Sequence, residues 1–191
     1  MVAGVVMIRV EIDSIRVSLM SQDRVVVLKD SEMDRYLPIY IGAFEAEAIR
    51  VELQGVPVTR PLTHDLLKTV ITDLGGTVEQ VLINDLRNDI FYAKISITVG
   101  GETLEIDSRP SDAIALAVRL SVPIFVADAV IERAAIEPED EIEAEEMPTD
   151  IEPHRASEKP EKPVPSDEDL SVFEDFLDTL DLDDLEDNSD D

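Results

Sequence analysis

Apolar and polar residues alternate along the beginning of the chain with the two-residue period of a half-buried β-strand. Residues 8–12 place Ile and Val between charged residues, and residues 15–19 continue the alternation one position out of phase. Because a slip of one residue would turn the apolar set to the other face of the sheet, the phase must be corrected within the strand. The sequence therefore predicts a long strand with a β-bulge or bend near Asp13 and Ser14.

Six further apolar runs are short and end in polar or glycine-containing segments, which is typical of strands. They cover residues 25–28, 37–41, 78–86, 91–99, 103–107 and 123–126. Pro38 favours an edge or early position for the second of these strands, because proline cannot donate a ladder hydrogen bond.

Four segments instead have apolar residues at the spacing of α-helices. They cover residues 43–53, 63–74, 111–120 and 128–135, and Thr63 and Ser111 are predicted to cap two of them. Strands and helices come in clusters rather than in strict alternation. The sequence therefore predicts an α+β fold, with a mixed, mostly antiparallel sheet and about four helices.

The first two helices are each predicted to have an apolar face, and that of the second helix is predicted to be buried. On the first helix this face consists of Phe44, Ala48 and Val51, with Ala46, Ile49 and Leu53 beside them. On the second helix it consists of Leu66, Leu67, Val70, Ile71 and Leu74.

The charge is very uneven along the 191 residues and suggests a division of the chain. Residues 1–135 hold 13 basic and 20 acidic residues, a net of −7, whereas residues 136–191 hold 3 and 24, a net of −21. A segment that repels itself and has little to bury stays unfolded. We therefore predict a folded domain over residues 1–135, a disordered acidic linker over 136–165 and an acidic tail over 166–191.

The rest of the composition limits the class of protein. The chain has no cysteine, which excludes disulfides and thiolate metal sites, and a reducing compartment fits this composition. Charged residues interrupt the first apolar run too early for a signal peptide, and no run is long enough to span a membrane. The expectation is a cytoplasmic protein without membrane association, whose acidity disfavours non-specific capture of nucleic acid.

One stretch of the acidic tail departs from its surroundings. Phe173, Phe176, Leu177 and Leu180 form an apolar stripe at helical spacing, and Ser166 can cap this helix. The helix has acidic residues at both ends and should be marginal alone. Either it binds a protein partner through the region 168–180, or it packs back on its own domain.

Three polar clusters lie at the ends of predicted elements, where ligand sites usually occur. They cover residues 60–65, 84–87 and 107–112, and each combines at least one carboxylate with an arginine. For any one cluster a structural role as a helix cap or ion pair is the simpler interpretation. The recurrence of three such clusters in one small domain favours a site. Glu45 and Glu47 lie two apart on a helix, so at most one of them can join it.

The order of these clusters along the chain resembles the bifunctional nuclease (BFN) domain family. The resemblance rests on residues 37–46, 60–67, 84–93, 109–116 and 123–126, and it spans about residues 5–135. It implies a compact α+β domain that tends to form homodimers or higher homo-oligomers. It also implies an activity, assigned to some members, that degrades both DNA and RNA.

Hydrolysis of a phosphodiester requires an activated water and stabilisation of charge on the phosphoryl oxygens. The catalytic prediction is His64 with Asp65 and Asp112, where His64 acts as general base or ligand. Arg60, Arg87 and Arg109 are predicted to bind phosphate. Asp65, Asp85, Asp107 and Asp112 are predicted to hold Mg²⁺ or Mn²⁺, which prefer oxygen ligands.

Two alternatives compete with an active nuclease. In one, the protein is a non-catalytic interaction or regulatory module, and the apolar stripe of its tail binds a partner. In the other, the acidic tail occupies an arginine-lined cleft as a mimic of nucleic acid. All catalytic interpretations require the polar clusters to converge in space.

Overall fold

A computed structural model describes residues 6–18 and 23–137, and the backbone of residues 144–146. The strands are β1 Met7–Ser18, β2 Arg24–Asp30, β3 Tyr36–Ile41, β4 Gly76–Arg87, β5 Ile90–Val99, β6 Glu102–Ser108, β7 Ile124–Ala127 and β8 Ala144–Glu146. The helices are α1 Ala43–Leu53, α2 Thr63–Asp73, α3 Pro110–Leu120 and α4 Asp128–Ala134. The predicted α+β class is confirmed, and the bounds of α1 agree with the sequence pattern at both ends.

The strands form one mixed sheet in the order β3-β2-β1-β7-β4-β5-β6, and β8 pairs with β1. Among the described strands only β4 and β7 pair in parallel. The register between β1 and β2 shifts between Ile12 and Ser14, which confirms the predicted bulge. β3 lies at one edge of the sheet, as Pro38 indicated.

The core lies between the sheet and its helices. α3 is the most deeply buried helix, and it packs on β4 and β5 with both α1 and α2 against it. Its residues Ile114 and Leu116 are fully buried, and Ala113, Ala115 and Ala117 allow the neighbouring elements to approach closely. This arrangement brings the beginnings of α1, α2 and α3 near one another.

Neither predicted helix cap is correct. The N-cap of α2 is Leu62, whose backbone N–H donates to Asp65 Oδ2 at 2.7 Å, so Thr63 is already helical. The N-cap of α3 is Arg109, and Pro110 and Ser111 lie in its first turn. In α2 the carboxylate of the third helical residue accepts from the backbone N–H of the N-cap residue, which is one of the two hydrogen bonds of a capping box.

The predicted buried face of α2 is also wrong for most of its residues. Ile71 packs against the core, but Leu66 is 58% exposed and Leu74 is 77% exposed, and Leu67 and Val70 also face solvent. On α1, Ala46 and Ile49 are buried, whereas Phe44 is 90% exposed. Helical spacing indicated amphipathic helices correctly, but it did not show which apolar residues the domain covers.

Several predictions fall outside the described residues. These are the linker and tail boundaries, and the apolar stripe at Phe173–Leu180. Within residues 6–18 and 23–137, each helix is too short or too polar to cross a membrane.

Candidate active site

Residues from the first turns of three helices surround two adjoining cavities of about 580 and 740 Å³. α1 contributes Glu45 to the smaller cavity, α2 contributes His64, and α3 contributes Asp112. Arg109, His64 and Asp112 line both cavities. The first and third predicted clusters therefore meet at one place, as a catalytic site requires.

His64 and Asp112 form a contact between residues that are far apart in the chain. The Nε2 atom of His64 lies 3.2 Å from Asp112 Oδ1, and the His64 side chain is mostly buried. Burial opposes ionisation of Asp112, but hydrogen bonds from Arg109 and His64 outweigh this effect and lower the pKa of its carboxyl. Because the ionised carboxylate only accepts hydrogen bonds, Nε2 carries the proton and Nδ1 is the basic nitrogen of neutral His64.

Arg109 joins Asp112 to Glu45. Its Nε donates to Asp112 Oδ2 at 2.6 Å, its Nη2 to Asp112 Oδ1 at 3.0 Å, and its Nη1 lies 3.0 Å from Glu45 Oε1. The hydrogen bond to Asp112 raises the pKa of Arg109, so the guanidinium stays charged. A guanidinium has five N–H donors, and these contacts leave two for a ligand. Its side chain is 66% exposed, which makes those donors accessible.

Asp65, which is predicted to be catalytic and to bind metal, makes contacts within the protein through both carboxylate oxygens. Its Oδ2 caps α2 through Leu62, and its Oδ1 accepts from Arg119 Nε at 2.6 Å. The hydrogen bonds from Arg119 and Leu62 outweigh burial and lower the pKa of Asp65. With both oxygens bound to the protein, Asp65 holds the beginning of α2 in place.

Arg119 is a residue of this region that the sequence interpretation missed. Its side chain is 2% exposed, and it also donates to the backbone oxygen of Ala115, while Lys68 Nζ donates to the Arg119 backbone oxygen at 2.8 Å. Together these contacts fasten α2 to α3 and so place His64 beside Asp112. One sequence signal was available, since Arg119 is the one charged residue in the apolar run of residues 113–120, and such a residue indicates a buried, paired charge.

The second predicted cluster stands apart from the other two. Asp85 pairs with Arg87, and the guanidinium of Arg87 also lies over the ring of Tyr92. The hydrogen bond from Arg87 lowers the pKa of Asp85. Neither residue lines either of the two cavities, so the observed contacts fit the structural interpretation of this cluster.

The two remaining predicted residues lie near the cavities. Asp107, on β6, lines the larger cavity, and Arg60 directly precedes Pro61 of the smaller one. Arg60 is exposed and makes no ion pair with another described residue.

The described residues do not form the predicted four-carboxylate metal site. No group of three or more His, Asp or Glu side chains in residues 6–18 and 23–137 has the geometry to hold a metal ion. Both oxygens of Asp65 are engaged, and Asp85 pairs with Arg87 away from the cavities. The protein side chains described here therefore do not fit a metal cage.

The site has the elements of general acid–base chemistry on an anionic substrate. An oriented imidazole lies beside an exposed guanidinium, at the converging positive ends of three helices. The guanidinium has donors for an anionic group such as a phosphate ester, although it lies beside the carboxylates of Glu45 and Asp112 with which it pairs.

A profile of the bifunctional nuclease domain family matches residues 26–139. The chain therefore belongs to the bifunctional nuclease domain family. This match confirms the resemblance noted in the sequence, and it includes every residue of the site described above.

Relatives support the same assignment. An uncharacterized protein of Mycobacterium tuberculosis is 36% identical over 176 residues, which cover 92% of this chain and 96% of that protein. A protein of Oryza sativa subsp. japonica named bifunctional nuclease 2 is 31% identical over 108 residues, or 55% of this chain. Bifunctional nuclease 1 of Arabidopsis thaliana is 28% identical over 93 residues, or 47% of this chain. The matches span only 33% and 29% of these two plant proteins.

Proposed function

We propose that the protein is a phosphodiesterase that hydrolyses DNA and RNA, with His64 as general base. The observation that carries this proposal is the His64–Asp112–Arg109 arrangement, in which residues distant in sequence meet in an open cavity. The names of the plant relatives support a nucleic acid as the substrate. In this proposal the carboxylate of Asp112 orients the ring of His64, and Asp65 is a positioning residue that holds the beginning of α2.

In the proposed reaction, Asp112 fixes the ring of His64 so that Nδ1 is available to a water molecule. His64 accepts a proton from this water as its oxygen bonds to phosphorus, and the imidazolium is stabilised by the Asp112 carboxylate. The bond from phosphorus to the leaving oxygen then breaks, and His64 returns the proton to that oxygen. The products are a phosphate monoester and an alcohol, so atoms and charge balance.

Positive groups at the site would bind the phosphate despite the acidity of the chain. Arg109 has two N–H donors left after its contacts with Asp112 and Glu45, and Arg60 has no partner among the described residues. Charges further away than about 8 Å are largely screened at physiological salt, so the net charge of −28 does not decide local binding.

Phe44 offers a surface for a base at the same cavity. Its ring is 90% exposed and lines the smaller cavity together with His64 and Arg109. Stacking of a base on an aromatic side chain contributes about 1–3 kcal/mol and does not depend on sequence. Since only an unpaired base is free to stack in this way, we expect single strands to be preferred.

Several expectations derived from the sequence accompany this proposal as predictions. They are the dependence on Mg²⁺ or Mn²⁺, the action on both DNA and RNA, the homodimer and the cytoplasmic location. Mg²⁺ often binds through one or two carboxylates together with substrate phosphates and water, so a metal requirement does not need a cage built by the protein.

The proposal is tested by assaying the full chain on labelled single-stranded DNA and RNA, with Mg²⁺, with Mn²⁺ and with a chelator. His64→Gln should lower the cleavage rate by about 100-fold to 10,000-fold, the usual contribution of a general base. Asp112→Asn should also lower the rate, because the amide can donate to His64 as well as accept from it and so no longer fixes its tautomer. Phe44→Ala should weaken binding of single strands by roughly 5-fold to 150-fold.

A matched control variant shows whether a contaminating nuclease causes the cleavage. Glu132→Gln changes an exposed carboxylate on α4, away from the cavities, and is purified in parallel. It should cleave like the wild type. Equal rates in the wild type, His64→Gln and Asp112→Asn would refute the assignment of the site.

A further inference from the structure

The larger cavity, of about 740 Å³, is lined by polar residues and by aliphatic residues that come from different parts of its elements. The polar residues lie where elements begin or end, and they are Thr63, His64, Asp107, Ser108, Arg109 and Asp112. The aliphatic residues lie further along α2, β5 and β6, and they are Leu67, Ile71, Ile95, Ile97 and Ile106. We call these five residues the aliphatic lining.

The aliphatic lining is one continuous surface. Along α2, Leu67 and Ile71 follow His64 at intervals of three and four residues, so the three side chains lie on one face of the helix. On the sheet, Ile95 is the register partner of Ile106, which places their side chains next to each other. The lining therefore begins beside His64 and continues between α2 and the strands β5 and β6.

This surface is open to solvent and offers nothing to water. Leu67 and Ile106 are exposed at the cavity, and the buried Ile95 and Ile97 lie below them. None of these side chains has a hydrogen-bonding group, so covering them with an apolar group releases water favourably. Cavities of this size that are mostly apolar, with polar groups at one end, are typical of ligand sites.

The position of Arg109 indicates which ligand covers the lining. Arg109 lines both cavities, as do Thr63 and His64 in the first turn of α2. From Arg109 the smaller cavity extends to Phe44 of α1, whereas the larger one extends to the aliphatic lining. A phosphodiester bound at Arg109 thus has an aromatic surface on one side and an aliphatic surface on the other. Every phosphodiester of a nucleic acid links two nucleosides, so it supplies one base for each side.

We propose that the aliphatic lining binds a nucleobase, namely the one across the bound phosphate from the base that stacks on Phe44. The two bases lie in different cavities, on different sides of the first turn of α2, so they cannot stay stacked on each other. The site therefore takes an unstacked dinucleotide step, which a single strand can adopt and an intact duplex cannot. This proposal rests on the proposed function, because it takes the phosphate to be bound at Arg109.

The test uses the full chain and a dinucleotide of two deoxyadenosines, which contains a single phosphodiester. Two further versions each lack the base of one nucleoside. All three are also made with a phosphorothioate linkage, which resists hydrolysis and reports binding alone. In the wild type, loss of either base should lower kcat/KM and raise the Kd of the phosphorothioate by at least about tenfold.

Variants of the lining show which base it contacts. Ile106→Asn and Leu67→Asn should each raise the Kd of the intact dinucleotide by at least about tenfold, because an amide replaces the apolar contact. On one of the two abasic versions they should change the Kd by less than about twofold, because the base that they contact is already missing. Phe44→Ala should show this behaviour on the other abasic version. Ile106→Leu keeps the lining apolar and should bind like the wild type.

Two matched controls lie on the same elements. Leu104→Asn changes a residue of β6 that is exposed like Ile106 but does not line the cavity, and Val70→Asn does the same on α2. Both should behave like the wild type on all three dinucleotides. Losses in these controls equal to those in Ile106→Asn and Leu67→Asn would overturn the base site.

The outcomes separate this proposal from the proposed function. Base-dependent binding of the phosphorothioates without hydrolysis of any dinucleotide would retain the base site and refute the hydrolysis. Hydrolysis in which Ile106→Asn loses as much on both abasic versions as on the intact one would retain the hydrolysis and overturn the base site.

An alkyl chain is the other ligand that an aliphatic surface can bind, so octyl phosphate is compared with deoxyadenosine monophosphate as a competitor. The mononucleotide should displace the dinucleotide at the lower concentration. Displacement by octyl phosphate at the lower concentration, abolished in Ile106→Asn, would assign the lining to an alkyl chain and overturn the proposal.

Discussion

Arg109 and Arg119 lie at opposite ends of the α3 segment and have opposite surroundings. Arg109 is exposed and keeps donors for a ligand, whereas Arg119 is buried and binds Asp65 and a backbone carbonyl. Removing one partner of a buried ion pair leaves the other charge without compensation, which costs more than breaking an exposed pair. Because Arg109 is exposed it can bind a ligand, whereas the buried Arg119 stabilises the structure.

The Asp65–Arg119 pair gives a prediction about stability and pH. Asp65→Asn should lower the free energy of unfolding at pH 7 by about 2–3 kcal/mol, because Arg119 then lacks its carboxylate. The folded-state pKa of Asp65 is lowered, so its contribution is present above the ordinary aspartate pKa and is lost as the pH falls through the folded-state value. Urea unfolding from pH 7 to pH 2 should therefore show a shallower acid dependence in Asp65→Asn.

The control for this experiment is Glu132→Gln, an exposed carboxylate that should reproduce the acid dependence of the wild type. Parallel curves for Asp65→Asn and the wild type would show that the pair does not contribute to stability.

At the residue scale, sequence patterns singled out residues that line the cavities. They did not show which of these residues contact one another. His64, Arg109 and Asp112 were identified from clusters at element ends. Their contact depends on the packing of α2 against α3, between residues 48 positions apart, which local patterns do not contain. The same limit applies to Asp65, whose partner Arg119 is 54 positions away.

At the scale of the element, local sequence patterns predicted where helices, strands and bulges form. They did not predict which side chains of an element are buried. The bulge in β1 and the bounds of α1 follow from residue spacing, because each is a property of neighbouring residues. The burial of α2 depends on which elements lie beside it. The spacing of the apolar residues in α2 correctly indicated an apolar side, but most residues of that side are exposed.

This difference within α2 gives a prediction. Ile71→Ala should lower the free energy of unfolding by about 2–4 kcal/mol, since it removes methyl groups packed against the core. Leu66→Lys should change it by less than about 0.5 kcal/mol, because Leu66 is exposed. Chemical denaturation of the two variants and the wild type measures both changes.

A loss in Leu66→Lys equal to that in Ile71→Ala would mean that Leu66 is buried within the single domain. The outer side of α2 would then be part of the core and not a surface.

At the scale of the whole molecule, the sheet connects parts of the chain that are distant in sequence. β1 pairs with β2 on one side and with β7 on the other, and β7 pairs in parallel with β4. The helices of the site pack on this sheet, and β7 is the strand that joins its two parts. The contacts that bring His64 to Asp112 are therefore stabilised by strands from both ends of the domain.

The central position of β1 has a practical consequence for anyone who prepares a shorter form of this protein. The family match begins at residue 26, after β1 and inside β2, so a fragment cut to residues 26–139 lacks the strand that joins β2 and β3 to the rest of the sheet. We expect this fragment to show no cooperative thermal transition, whereas residues 1–139 should unfold cooperatively. A sequence boundary defined by similarity would here divide the sheet into two separate halves.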